Sequence, residues 1–175
     1  MRQSLVDDFL SEEYEEDEDT QKDKYLTFRL GDESFGIEIR YVTEIVSIQK
    51  ITSVPDLPAF VKGAINLRGQ VIPVIDLRLR FGMPPREYDE RTCVVITRLE
   101  DITVGMVVDM VSEVLVIPPA DMSPPPSMSK GGASRFVQGL GRVGDSVKII
   151  LTAGKMLRDD EMEAVAGAAG AVAKE

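Results

Sequence analysis

From Lys24 to Leu151 the chain is a succession of short apolar runs, each closed within a few residues by a turn signal. "KYLTFRL" alternates and runs through "GDES" into "FGIEI"; "IQKITSV" stops at Pro55 and Pro58; "FVKGAINL" and "QVIPVID" flank Arg68-Gly69. After them come "RTCVVITRL", "ITVGMVVD", "VSEVLVI", "RFVQGLGRV" and "SVKIIL", with turns at Glu100-Asp101 and Gly144-Asp145. Alternation over runs this short, punctuated this often, predicts strands and hairpins rather than helices. An all-β class of small barrels or sandwiches follows. About ten strands exceed what one small barrel needs, so two five-stranded units sharing a core are expected. Their boundary is placed near Met83 to Asp89, where a helical turn in "LRLRFG" ends in Gly82-Met83-Pro84-Pro85. Two stretches depart from the strand pattern. In "IRYVTEIVSI", Ile39, Val42, Ile45 and Val46 recur at helical spacing and predict a short helix. "AGKMLRDDEMEAV" predicts a C-terminal helix, and residues 163–175, rich in alanine and glycine, a flexible tail. Residues 118–134, crowded with proline, serine and glycine, read as a surface loop.

Composition removes most chemistry. Among 175 residues there is no histidine, so Ser-His-Asp and Cys-His arrangements, His-ligated zinc and histidine phosphoryl relay have no central atom. Cys93 is the single cysteine and forms no intramolecular disulfide, in keeping with a reducing compartment. Residues 1–24 hold ten acids against three bases, minus seven of the chain's net −10. Residues 1–23 therefore read as a solvated acidic tail, in which Leu5, Phe9 and Leu10 offer one weak amphipathic turn. With no basic stripe anywhere, a phosphate backbone is repelled and nucleic acid is not an expected partner. No run reaches the roughly 18–20 apolar residues of a spanning helix, and Met1 to Thr20 lacks the pattern of a secretory signal. A cytoplasmic protein without membrane insertion is expected.

Motifs with chemical meaning fail on context. "GLGRVG", Gly139 to Gly144, fits G-x-G-x-x-G, but it leads into the strand "VKIIL" instead of opening a helix toward a pyrophosphate. "DEDTQKDKYLTF" carries Lys22 where a calcium loop needs glycine and Phe28 where it needs glutamate. Pro124 to Pro126 reads as a stiff connector. Asp109, Glu113 and Asp121 form no evident catalytic pair. What stands out is the hairpin "GAINLRGQVIPVIDL". Gly69 suits a type II turn with Arg68 at ordinary negative φ. Val71, Ile72, Val74 and Ile75 put apolar groups on both faces, so one face needs a cover, either the second barrel or another protein. Pro73, lacking an N–H, suggests an edge strand or a bulge.

"GDESFGIEI", "VTEIV", "PAFVKGAINLRGQVIPVIDLR", "ITVGMVVDMVSEV" and "GLGRVGDSVKIIL" together resemble the CheW family of bacterial chemotaxis coupling proteins, over residues 24–162. The resemblance implies two five-stranded SH3-like barrels, no catalysis and no cofactor. It also implies a scaffold joining the cytoplasmic tips of chemoreceptors to the histidine kinase CheA. Val42, Glu44, Ile45, Gly63, Arg68, Gly69 and Val114 match positions where family members meet receptor or kinase. The acidic tail and the "SPPPSMSKGG" loop lie outside the shared pattern. Two alternatives stay open: a scaffold of a related chemosensory pathway controlling surface motility or development, and a carboxylate-dependent hydrolase with two acids facing each other in a barrel cleft.

Overall fold

The computed structural model describes residues 18–125 and 132–173. Leu5, Phe9, Leu10 and most of the expected acidic tail fall outside those residues, as does Pro126. Among the described residues eleven strands form: β1 (Lys24–Leu30), β2 (Glu33–Glu38), β3 (Val42–Ser47), β4 (Val61–Leu67), β5 (Gln70–Asp76), β6 (Cys93–Leu99), β7 (Ile102–Val108), β8 (Met110–Val116), β9 (Met122–Ser123), β10 (Val137–Val143) and β11 (Ser146–Leu151). Two α-helices accompany them among the described residues, α1 (Leu77–Arg80) and α2 (Asp159–Ala173).

The strands make two sheets, one ordered β3-β6-β7-β5-β4 and one ordered β8-β1-β2-β11-β10-β9. The class is all-β, as the turn-punctuated pattern predicts, and SH3-like, as the family resemblance implies, with the two-residue β9 giving one sheet a sixth strand. The sheets do not divide the chain where expected. β6 and β7 lie after residues 83–89 yet pair with β3 and, in parallel, with β5. The crossings between sheets fall instead at the 3-10 turn Ile39–Tyr41 and at Asp109, between β7 and β8. Both sheets also contain one parallel pair, β5 with β7 and β2 with β11, which hairpin signals cannot announce because the partners are far apart in sequence.

Alternation along the strands sorts side chains into separate cores. On β6, Val95 and Leu99 enter a large cluster shared by both sheets, while Val94 and Ile96 enter a second cluster. On β7, Val104, Met106 and Val108 face the shared cluster and Val107 the second. Tyr25, Ile117 and Ile150 form a third, smaller cluster within the six-stranded sheet. A sheet buried on both faces is why these runs read as nearly continuous hydrophobic sequence.

Three local expectations are corrected. The helix over "IRYVTEIVSI" is a 3-10 turn followed by strand β3. A bulge between Val42 and Glu44 brings Val42 and Ile45, three residues apart, into the shared cluster, while Val46 turns into the second. Two buried faces and one bulge imitate helical spacing. "IQKITSV" contributes only an isolated bridge, Thr52 to Ala64. α2 runs on through Ala173, past Val165 where the expected helix ends, so the alanine-rich segment expected as a flexible tail continues the helix.

One buried ion pair ties α2 to the sheets. Arg80 at the end of α1 donates to both carboxylate oxygens of Glu161, at 2.7 and 3.1 Å, and from Nε to the Met156 carbonyl at 2.8 Å. Its guanidinium carbon lies 4.2 Å from the Phe60 ring centroid and 4.9 Å from that of Phe136. Glu161 also accepts from the Arg158 N–H at 2.8 Å, so the pair has its hydrogen-bonding capacity largely filled. Arg80→Met leaves a buried carboxylate without its counter-charge, and urea unfolding should register a loss of about 3–5 kcal/mol. Replacing both partners by apolar residues, Arg80→Met with Glu161→Leu, should recover most of it.

Candidate functional site

The exposed end of the β4–β5 hairpin is built on a two-residue connection, Arg68-Gly69. Both have positive φ, +52° and +87°, the signature of a type I′ turn and not of the type II turn that Gly69 alone suggested. The reason lies in the strands: primed turns match the right-handed twist of a two-residue hairpin. Asn66 Oδ1 accepts from the Gly69 N–H at 2.8 Å and braces the turn. An arginine in the left-handed region is strained by about 1–2 kcal/mol. Turn chemistry alone would favour glycine or asparagine there.

Arg68 Nη2 donates to Glu44 Oε2 at 2.5 Å. Glu44 belongs to β3 and Arg68 follows β4, the two outermost strands of their sheet, so their contact means the sheet curls until its edges meet. The Thr52–Ala64 bridge seals the same seam from the segment that follows β3. The Arg68 side chain is 69% exposed and Glu44 24%. An ion pair this wet contributes about 0–1 kcal/mol.

The remaining expected site residues are dispersed. Val42 and Ile45 are buried in the shared core. Gly63 is buried with φ +140°, and a Cβ there would overlap the Thr52 carbonyl oxygen, so its role here is to admit the sealing segment. Val114 is half-buried on β8, an edge of the other sheet, near Val116, which is 61% exposed. Glu44, Arg68 and Gly69 alone come together at the surface. The apolar ribbon, for which a cover is expected from the second barrel or another protein, is covered by the chain itself: Val61 and Ile75 enter the shared core, and Ile65, Ile72 and Val74 the second. Pro73 is not on an edge. β5 lies between β4 and β7, and its ladder to β7 begins only at Val74. Opposite Pro73, Ala64 spends its N–H and C=O on Thr52, so no bond from β4 needs the missing donor.

The sequence also left unmarked a charge cluster at the second crossing. Asp109 accepts from Arg78 Nε at 2.8 Å and Nη2 at 2.7 Å, from the Gly31 N–H at 2.7 Å and from Arg86 at 3.2 Å. Burial raises the Asp109 pKa, but hydrogen bonds from Arg78 and Gly31 and the charges of Arg78 and Arg86 outweigh it, leaving the carboxyl below its ordinary value. The cluster ties the β1–β2 turn to α1 and to the crossing. Spacing could not reveal it, since its members lie up to 78 residues apart.

The buried acids are already engaged. Asp76 accepts from the Leu79 N–H at 3.3 Å, as the cap of α1, and from the Tyr88 hydroxyl at 2.6 Å; burial, then the bond to Asp76, pushes the Tyr88 pKa well up. Glu161 holds Arg80. Asp121 is paired with Arg142 at 3.1 Å. Among the described residues no group of three or more potential ligands is placed to hold a metal ion. "GLGRVG" lies along β10 and its turn, where no helix begins.

Compared with known proteins, residues 24–161 match the CheW-like domain. The chain is 37% identical to a chemotaxis protein CheW of Klebsiella aerogenes over 84% of its length and 89% of the relative's. It is 32% identical to one of Treponema pallidum, over 81% and 85%. Protein FrzA of Myxococcus xanthus is 28% identical over 82% and 90%. The fold is similar to the crystal structure of the scaffolding protein TtCheW from Thermoanaerobacter tengcongensis, with TM-score 0.72 and 34% identity over 79% of this chain and 90% of that one.

Two stability predictions follow from this geometry. Gly69→Ala should cost about 1–2 kcal/mol, the left-handed penalty alone. Gly63→Ala should cost more, because the Thr52 carbonyl must also move; urea unfolding of both variants checks the order. For Asp109, a folded pKa below the unfolded one means its contribution is fully present above the unfolded value, about 3.9. It fades as pH falls through the folded value. Asp109→Asn should therefore flatten the acid limb of a stability–pH curve; an unchanged slope would show that other acids carry it.

Proposed function

The chain belongs to the CheW family of chemotaxis coupling scaffolds, and on that premise we propose that it joins the cytoplasmic tips of chemoreceptors to the histidine kinase CheA. The observation that carries the reading is the tip of the β4–β5 hairpin. Arg68 stands in a strained, braced turn with its guanidinium mostly in water, where its ion pair does little for the fold. Strain kept without a return in stability points to a use elsewhere. Arginine is enriched among residues that anchor interfaces, and this one sits on a rigid two-strand support beside Glu44.

The remaining residues act indirectly in this reading. Val42 and Ile45 set the position of β3 and hence of Glu44. Gly63 lets the 48–60 segment close the seam. Val114, on an edge of the other sheet, marks a second contact surface, so receptor and kinase can be held together on one body. The action is mechanical and not catalytic. Simultaneous contacts hold a kinase domain against a receptor bundle, and receptor movement changes kinase activity through whatever contacts differ between the two states. Among the described residues no helix is long and apolar enough to cross a membrane; recruitment to membrane-bound arrays is through the receptor.

Reconstitution of CheA and receptor with and without this protein tests the reading; no association with either partner and no kinase activation would reject it. Arg68→Ala should reduce activation about tenfold, the effect of losing about 1.4 kcal/mol of contact. Its melting temperature should remain near that of the parent. Arg68→Gly relieves the turn strain and should lose coupling while folding at least as well. If both variants couple normally, the hairpin tip is not the contact.

A further inference from the structure

A hollow of about 380 Å³ opens where the 3-10 turn Gly132–Phe136 meets the stretch between β11 and α2. Its floor is apolar, formed by the buried Phe136 and Leu157, and its rim carries the exposed cations Arg135, Lys155 and Arg158. Arg135 lies 4.7 Å over the Phe136 ring. Arg158 shares its charge with Asp160 and Glu161, at 3.5 and 3.4 Å. Among the described residues no carboxylate lies within ion-pair distance of Arg135 or Lys155. Three cations around one greasy depression are out of keeping with a chain of net charge −10. The volume is near the low end of ligand pockets, roughly 300–1,000 Å³, and suits a single aromatic side chain better than a cofactor.

The chain carries the complement to this surface. "EEYEEDED", residues 12–19, sets one aromatic, Tyr14, in a run of seven acids. The fold also puts it within reach. Asp23 and Tyr25 line a second cavity together with Gln138 and Gly139, so the start of β1 lies beside the start of β10. Gln138 is three residues from Arg135, a separation of at most about 10 Å, whereas the nine residues from Tyr14 to Asp23 can span roughly 30 Å. We propose that the acidic N-terminal stretch of the same chain docks in this hollow, with Tyr14 on the Phe136–Leu157 floor and its flanking carboxylates on Arg135, Lys155 and Arg158. A second copy is the weaker candidate. Two molecules of net −10 repel, while a short tether supplies an effective concentration of about a millimolar without that cost. Surface ion pairs of this kind are individually weak and screened by salt, so the docking is salt-sensitive.

The test uses the full-length chain labelled with nitrogen-15 and follows the backbone amides of 135–138 and 154–158. Raising salt from about 0.02 M to about 0.5 M shortens the screening length several-fold and should shift those amides selectively. Tyr14→Ala should shift the same set, and Tyr14→Phe should not. In Arg135→Glu with Lys155→Glu, the response to salt should vanish while the remaining spectrum reports an intact fold. If Tyr14→Ala leaves these amides unmoved, the hollow is not occupied by this stretch and the proposal fails. If the shifts depend on protein concentration, the occupant is a second copy and the same-chain reading is overturned.

Discussion

Along β6 and β7 successive side chains point in opposite directions and both directions lead into a core. Val95, Leu99, Val104 and Met106 meet the strands and helix of the other half; Val94, Ile96 and Val107 fill the inside of their own sheet. The rest of the molecule depends on this double burial. It makes the two sheets inseparable, because the shared cluster needs residues from β1, β2, β3, β6 and β7 at once. It also sets where irregularities are tolerated. The bulges in β3 and β4 let strands buried on both faces bend until their edges meet.

Edges that meet create a seam, crossed by the Thr52–Ala64 backbone bridge and by the side-chain ion pair of Arg68 and Glu44. The exposed site is thus a by-product of closing the sheet. A turn forced into the left-handed region by strand twist stands where the first and last strands approach. Rigidity comes from below, from Ile65, Ile72 and Val74 packed in the second core, so the guanidinium is presented on a fixed base. Elsewhere charge serves the fold. Arg80 with Glu161 attaches α2, and Arg78 with Asp109 pins a crossing between sheets. The arginines resemble one another in sequence but have opposite uses, and burial separates them.

Much of the architecture was legible in particular stretches. "KYLTFRL" through "FGIEI" and "FVKGAINL" through "QVIPVID" became hairpins because alternation and turn residues act over a few positions. Where two buried faces and a bulge combined, in "VTEIVS", the same reading produced a helix, since period alone does not distinguish that pattern from a helical stripe. The expected boundary near 83–89 misplaced the division because parallel pairing of β5 with β7 leaves no local trace. The site was partly legible. Arg68 was conspicuous for its setting, but which of the two covers open to its apolar flanks would serve was not legible, and the protein's own strands supply it.

Composition and local pattern determined that this chain is β-rich, that histidine chemistry is closed to it, that its acids concentrate at one end, and that a hairpin ends in Arg68-Gly69. These are properties of neighbours along the chain, set by backbone sterics, side-chain alternation and charge. Tertiary structure decided which sheet each strand joined, that the ribbon is sealed, that Arg68 finds Glu44 while Arg80 disappears beneath α2, and that three cations line one hollow with Phe136 and Leu157. Those outcomes depend on burial and on contacts between residues far apart in sequence, which exist only once two sheets have closed on a common core.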